Sequence, residues 1–266
     1  MVKTFIASLI IMLLSSCAFA GAIETVTLIE TQGQSDTSLL VGASEEQIAQ
    51  YFPGGKMDSQ ILAFLVKFGG SEILFDTGLK GGHIPAELAK NGVKPEDVKT
   101  ILLTHLHPDH FGGLVDGRGK AAFPNAEIFV GKVEREYWVN ELKNENVIAA
   151  LKLYEGRIHT FDFGDEVVPG VKSIDTTGHT PGHTAFLVEN DGGKLLIVGD
   201  IMHFQVIQLP NPDVAVRYDV DPVKAVQSRK FILDYASMKN IPVAGMHMTP
   251  PGVTNVKKSG GGYEIY

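Results

Sequence analysis

The segment Thr104–His110 reads THLHPDH and follows directly on the apolar run Ile101–Leu103. It holds three of the chain's nine histidines and an aspartate. Imidazole and carboxylate groups crowded at the end of a buried strand are costly to desolvate unless something binds them together. His105 and His107 stand two apart where the chain leaves that strand, so both rings can face one cavity. Pro108 keeps the turn out of helix until after the cluster, and FGGL then opens a helix over glycines that permit close backbone approach. The chemistry this mixture suits is metal ligation, by zinc first and also by manganese, iron or cobalt.

A cluster this short cannot close two metal sites, so further ligands must come from elsewhere. The chain offers them at other strand exits: TTGHTPGH ends with His183, LIVGD with Asp200 and VAGMH with His247. Rigid strand ends are where a scaffold places reacting groups. The TTGHTPGH turn also holds His179, but one ligand from that turn suffices; His179, like His83 and His159, reads as an ordinary histidine. No GxSxG nucleophile motif is present.

The first twenty residues, MVKTFIASLIIMLLSSCAFA, have a lysine, an apolar run from Phe5 to Leu14 and a small-residue end. That is a secretory signal ending at Ala20, with an exported mature chain, periplasmic or secreted, beginning at Gly21. The alternative is a lipoprotein signal ending before Cys17, from LSSC, which would anchor the protein to the outer membrane by a lipid. The apolar run is too short to span a bilayer. Cys17 is the only cysteine, so disulfides contribute nothing and any metal site must use His, Asp or Glu. A net charge of −8 gives no basic surface for nucleic acid and disfavours highly anionic substrates.

Residues 21–266 read as one domain, without repeats or a composition shift. Apolar runs predict strands over Ile23–Glu30, Ile61–Phe68, Ile73–Gly78 and Thr100–His105, with a GGSE turn making a hairpin of the second and third. Lys132–Gly156 has helical period and predicts one long helix. HTAFLVENDGGKLLIVGD predicts a second hairpin. Asp221–Asn240 predicts a helix with Asp221 as N-cap and Pro222 in its first turn. Strands in two blocks, each followed by helices, imply an α/β protein of two packed sheets with helices outside.

THLHPDH matches the HxHxDH signature of the metallo-β-lactamase superfamily, and GHTPGH, VGD and the late MH follow in that family's order. The resemblance spans nearly the whole mature chain. It implies a four-layered αββα sandwich with two divalent metal ions at the sheet edges. By motif, His105, His107 and His183 hold one ion, Asp109, His110 and His247 hold the other, and Asp200 bridges them. Asp76, in ILFDTG, matches a carboxylate that orients a ligand histidine.

Within the superfamily, Asp200 at the bridging position is unlike true β-lactamases, and HxHxDH is unlike the diiron branch. Lactonases place a tyrosine shortly after the bridging aspartate, where GDIMHF has His203. AFPNAEIF, EREYW, the segment from Gly199 to Lys230 and the GYEIY tail most resemble the methyl parathion hydrolase and lactonase–aryl esterase group. The resemblance implies opening of lactones or cleavage of aryl esters, with phosphotriester hydrolysis as the alternative and weak β-lactamase activity after it. Two metals would lower the pKa of a bridging water from about 16 to about 7, giving hydroxide at neutral pH. Asp109 or Asp200 would pass a proton to the leaving group. Phe111, Trp138 and His203 are the candidates for the substrate pocket, which would take a small molecule with an apolar portion. Relatives are often homodimers, but no interface signature is visible. A non-catalytic binding module on the same fold would require a lost ligand, and none is lost.

Overall fold

The computed structural model describes residues 22–266. The expected signal sequence with its cleavage point, and Cys17, lie outside the described residues. Two six-stranded sheets carry the fold. The first is ordered β1 (Glu24–Asp36), β2 (Lys56–Phe68), β3 (Ser71–Phe75), β4 (Thr100–Leu102), β5 (Glu127–Gly131) and β6 (Ile158–Phe161). Antiparallel pairing joins β1, β2 and β3, and parallel pairing continues to β6. In the second sheet the chain runs through β7 (Glu166–Val168), β8 (Val171–Asp175), β9 (Thr184–Asn190), β10 (Gly193–Gly199), β11 (Val243–Gly245) and β12 (Val253–Thr254). These strands neighbour one another in that order, and only β10 and β11 pair in parallel.

Period-two patterning explains the stacking. On β2, Leu62, Phe64 and Val66 face the second sheet, where they pack in one cluster with Phe186, Val188, Leu195 and Ile197. The alternate residues Ala63 and Leu65 face outward, toward Ile84 and Leu88 of the helix Ile84–Lys90 and Val147 and Leu151 of the helix Glu145–Lys152. Beyond the second sheet, Ala185, Leu196 and Val198 meet Ile232, Leu233 and Ala236 of the long helix Pro222–Lys239. Each sheet is therefore apolar on both faces, and the layers run helix, sheet, sheet, helix, as expected.

Both hairpins form, and Asp221 caps its helix by accepting from Lys224 N with Pro222 in the first turn. The structure departs from expectation in two places that bear on the site. Pro108 does not delay the helix. It begins a single turn, Pro108–Phe111, that already contains Asp109 and His110, because proline's fixed φ suits a first helical position. The expected long helix over Lys132–Gly156 is broken. A short helix Lys132–Arg135 runs into a π-helical stretch, Glu136–Glu141, and a new helix starts at Glu145. Asn144 restarts it by accepting from Asn146 N and Val147 N, a local alternative to helix continuation. No helix of the described residues is long and apolar enough to cross a membrane.

Candidate metal centre

Strand exits of both sheets converge on one edge of the sandwich. His105 and His107 follow β4, Asp76 follows β3, and Asp109 and His110 sit in the next turn. From the second sheet come the turn before β9, Asp200 just after β10 and His247 just after β11. Gly199 makes the sharp exit to Asp200 possible. Its φ is +53°, and a Cβ there would stand 2.5 Å from His183 Nε2.

His105, His107, His179 and Asp200 bring four ligand atoms within 4.8 Å of one another. His107 Nδ1 is 2.9 Å from His179 Nε2 and 3.1 Å from His105 Nε2. Asp200 Oδ2 is 3.1 Å from His179 Nε2 and 3.6 Å from His105 Nε2. Ligands about 2.0–2.1 Å from a tetrahedral zinc stand roughly 3.4 Å apart, so these separations suit one small cation. A second set, Asp109, His110 and His247, lies beside the first. Asp109 Oδ2 is 3.5 Å from His110 Nε2 and 3.4 Å from His247 Nε2. Asp200 reaches this set too, with Oδ1 3.2 Å from His110 Nε2 and Oδ2 3.2 Å from His247 Nε2. The fit to a metal pair is clearest at two buried atoms, His110 Nε2 and Asp200 Oδ1, which find no hydrogen-bond partner among the described residues.

The outer nitrogens are held in turn. His110 Nδ1 lies 2.7 Å from Asp76 Oδ2, while Asp76 also accepts from Thr104 N and Thr104 Oγ1. Asp76 takes a left-handed φ of +58° to do so. His179 Nδ1 lies 2.8 Å from Asp219 Oδ1, and His247 Nδ1 lies 2.6 Å from the Gln60 carbonyl. Such contacts fix the ring and aim the inner nitrogen at the centre. Burial opposes charge on Asp200, but the surrounding His110, His247, His105 and His203 hold its carboxyl well below the usual range. Burial pushes His107 down to about 3, with His179 adding to the effect, so its ring is neutral and able to ligate.

One expected ligand lies elsewhere. His183 is buried, but its Nε2 accepts from the Asp200 backbone N at 3.0 Å and its Nδ1 faces Thr176. Both ring nitrogens are thereby used, and His183 supports the loop that carries Asp200. His179, read as ordinary from the sequence, takes the place in the first set. The remaining ligand candidates, His105, His107, Asp109, His110, Asp200 and His247, are brought together, and Asp76 stands behind His110.

A cavity of about 430 Å³ opens over the centre, lined by Asp109, His179, Asp200, His203 and His247 with Ile61, Leu79, Phe204 and Tyr218. His203 stacks on His247 with ring centres 4.8 Å apart, and its Nε2 is 3.2 Å from Asp200 Oδ2. A second cavity of about 650 Å³ lies alongside, and Leu79 and Pro108 line both. Phe111 and Trp138 line this second, largely apolar space rather than the metal cavity. Trp138 also meets His107 edge to face at 5.5 Å.

Sequence reasoning missed Asp219, Glu134 and Arg229. Buried Arg229 donates to the carbonyls of Ile201, Pro212 and Val214, tying down the loop after Asp200. Each acts on residues far away in the sequence, and no local spacing marks them.

Comparison with known proteins places this geometry. Residues 57–238 match the family described as the metallo-beta-lactamase superfamily. An N-acyl homoserine lactonase of Bacillus cereus is 29% identical over 175 residues, 55% of this chain and 65% of that protein. Another, from a Bacillus species, is 31% identical over 178 residues, 56% of this chain and 66% of that protein. The match thus spans just under two thirds of these relatives' length. Among solved structures, AidC, a dizinc quorum-quenching lactonase in complex with a product, is 27% identical with a TM-score of 0.84, covering 93% of this chain and 95% of that one. A hydrolase of the beta lactamase superfamily, AbOPH, is 30% identical with a TM-score of 0.82, covering 92% and 94%.

Proposed function

The chain belongs to the metallo-beta-lactamase superfamily, and from that premise we propose that it is a two-metal hydrolase that opens lactones carrying an apolar acyl portion. The observation that carries the reading is the pair of ligand sets sharing Asp200. His105, His107 and His179 would hold one divalent ion and Asp109, His110 and His247 the other, with Asp200 between them. Zinc suits the imidazole and carboxylate donors, and the likeness to a dizinc lactonase supports it. Bound there, the two ions supply Lewis acidity toward a carbonyl oxygen and activate water at neutral pH.

The chain's own groups do the rest. The Asp109 carboxylate, a quarter exposed and facing the cavity, is placed to take a proton from the attacking water and return it to the leaving ring oxygen. His203 and Tyr218 bound the polar side of the same cavity, with ring centres 5.8 Å apart. Ile61, Leu79 and Phe204 give it apolar walls. The adjoining apolar cavity, walled by Leu106, Phe111, Val115 and Trp138, has room for an acyl chain entering past Leu79 and Pro108. The substrate names of the lactonase relatives support the same class.

Aryl esters and phosphotriesters offer the same site an electrophile and an apolar group. One kinetic panel on the purified protein separates them: N-acyl homoserine lactones, aryl esters, a phosphotriester and a β-lactam. The expected order puts lactones first in kcat/KM. A tenfold or greater preference for the phosphotriester overturns the lactonase assignment. The leader-like pattern of Met1–Ala20 supports an exported enzyme, periplasmic or secreted.

A further inference from the structure

Glu134 is fully buried, yet it touches neither the metal cavity nor any positive charge among the described residues. Its carboxylate takes four hydrogen bonds. Oε1 accepts from Leu106 N at 2.8 Å and Trp138 Nε1 at 2.7 Å. Oε2 accepts from Thr180 Oγ1 at 2.7 Å and Gly182 N at 2.9 Å. Leu106 is the residue between His105 and His107, and Thr180 directly follows His179. The two segments belong to different sheets, one leaving β4 and the other entering β9.

We propose that Glu134 is the positioning residue of the histidine-rich half of the centre. Its carboxylate spans the two sheets and sets the approach of His107 to His179, and it aims Trp138 at His107 through the same oxygen that holds Leu106. The inference rests on the two-metal reading above. Burying a carboxylate is costly, and burial does push this group upward. Four converging donors offset that cost. Gly182 permits the contact, because a Cβ there would stand 2.2 Å from Glu134 N. The π-helical stretch Glu136–Glu141 follows at once and includes Trp138, one turn beyond Glu134.

The role is open to a near-isosteric test. Glu134→Gln replaces one acceptor oxygen with an NH₂ group, which meets either Leu106 N and Trp138 Nε1 or Gly182 N, none of which can accept from it. The metal alone is the probe. Zinc affinity would be measured by chelator competition on the full mature chain, and cobalt(II) absorption would report the coordination of each site. Glu134→Gln is expected to weaken one of the two sites about 10- to 100-fold, the usual scale for groups that orient ligands, and to leave the site of Asp109, His110 and His247 unchanged. Thr180→Val removes a single donor and should weaken the same site by a smaller factor. Trp138→Phe likewise removes a single donor, so it should weaken the same site by a smaller factor and also raise KM. If Glu134→Gln fails to fold, Thr180→Val decides, and an unchanged affinity in it overturns the proposal. Equal affinities in wild type and Glu134→Gln also overturn it while leaving the two-metal reading in place. A wild-type chain that binds no metal overturns that reading, and this inference with it.

Discussion

Two histidines four positions apart show how much one side chain decides. His179 and His183 share a turn and a composition, but only His179 presents a free inner nitrogen to His105, His107 and Asp200. The difference comes from partners: Asp219 takes the outer nitrogen of His179, while the Asp200 amide and Thr176 use both nitrogens of His183. His179→Ala should therefore cost one metal equivalent and at least a hundredfold in kcat/KM. His183→Ala should keep two equivalents and lose stability of about 1–3 kcal/mol, because a buried amide is left unpaired. Elemental analysis and thermal melts of the two variants check this, and the reverse pattern would restore His183 as the ligand. The ligand types were legible in THLHPDH, VGD and MH, since chemistry that needs imidazole and carboxylate at strand ends leaves them in the sequence. The choice within GHTPGH was not, because it depends on Asp219, forty residues on.

Elements differ in how plainly their sequence declares them. The two hairpins and the helix Pro222–Lys239 were readable because alternation, turn residues and an Asp–Pro cap agree locally. The run Lys132–Gly156 misled, since its apolar period continues through Glu136–Glu141 while its backbone does not. What holds this part of the segment is tertiary: Glu134 is drawn to Thr180 and Gly182 in a loop of the opposite sheet, and Trp138 is tied to Glu134. The exit of β10 is the most exacting join. Gly199→Ala adds a Cβ 2.5 Å from His183 Nε2 and 3.0 Å from Thr104 Cβ, at a left-handed φ. The expected result is a destabilisation of about 2 kcal/mol or more and a displaced Asp200, seen as a lower Tm together with loss of metal. A variant with wild-type Tm and metal content would show that this exit is not constrained.

At the scale of the whole molecule, both sheets are apolar on two faces, so the polar chemistry is driven to the edge where their strands end. The layer order was legible because strands with two buried faces read as continuous apolar runs. The metal cavity was not, because it arises where loops from both sheets meet. Joining those loops is what brings seven side chains able to ligate metal, His105, His107, Asp109, His110, His179, Asp200 and His247, together at one edge. The most direct test is a zinc titration of the metal-stripped protein, followed by the rate of N-acyl homoserine lactone opening. The rate is expected to rise from background and saturate at two equivalents per chain. A rate that stays at background, or saturates at one equivalent, would contradict the two-metal reading.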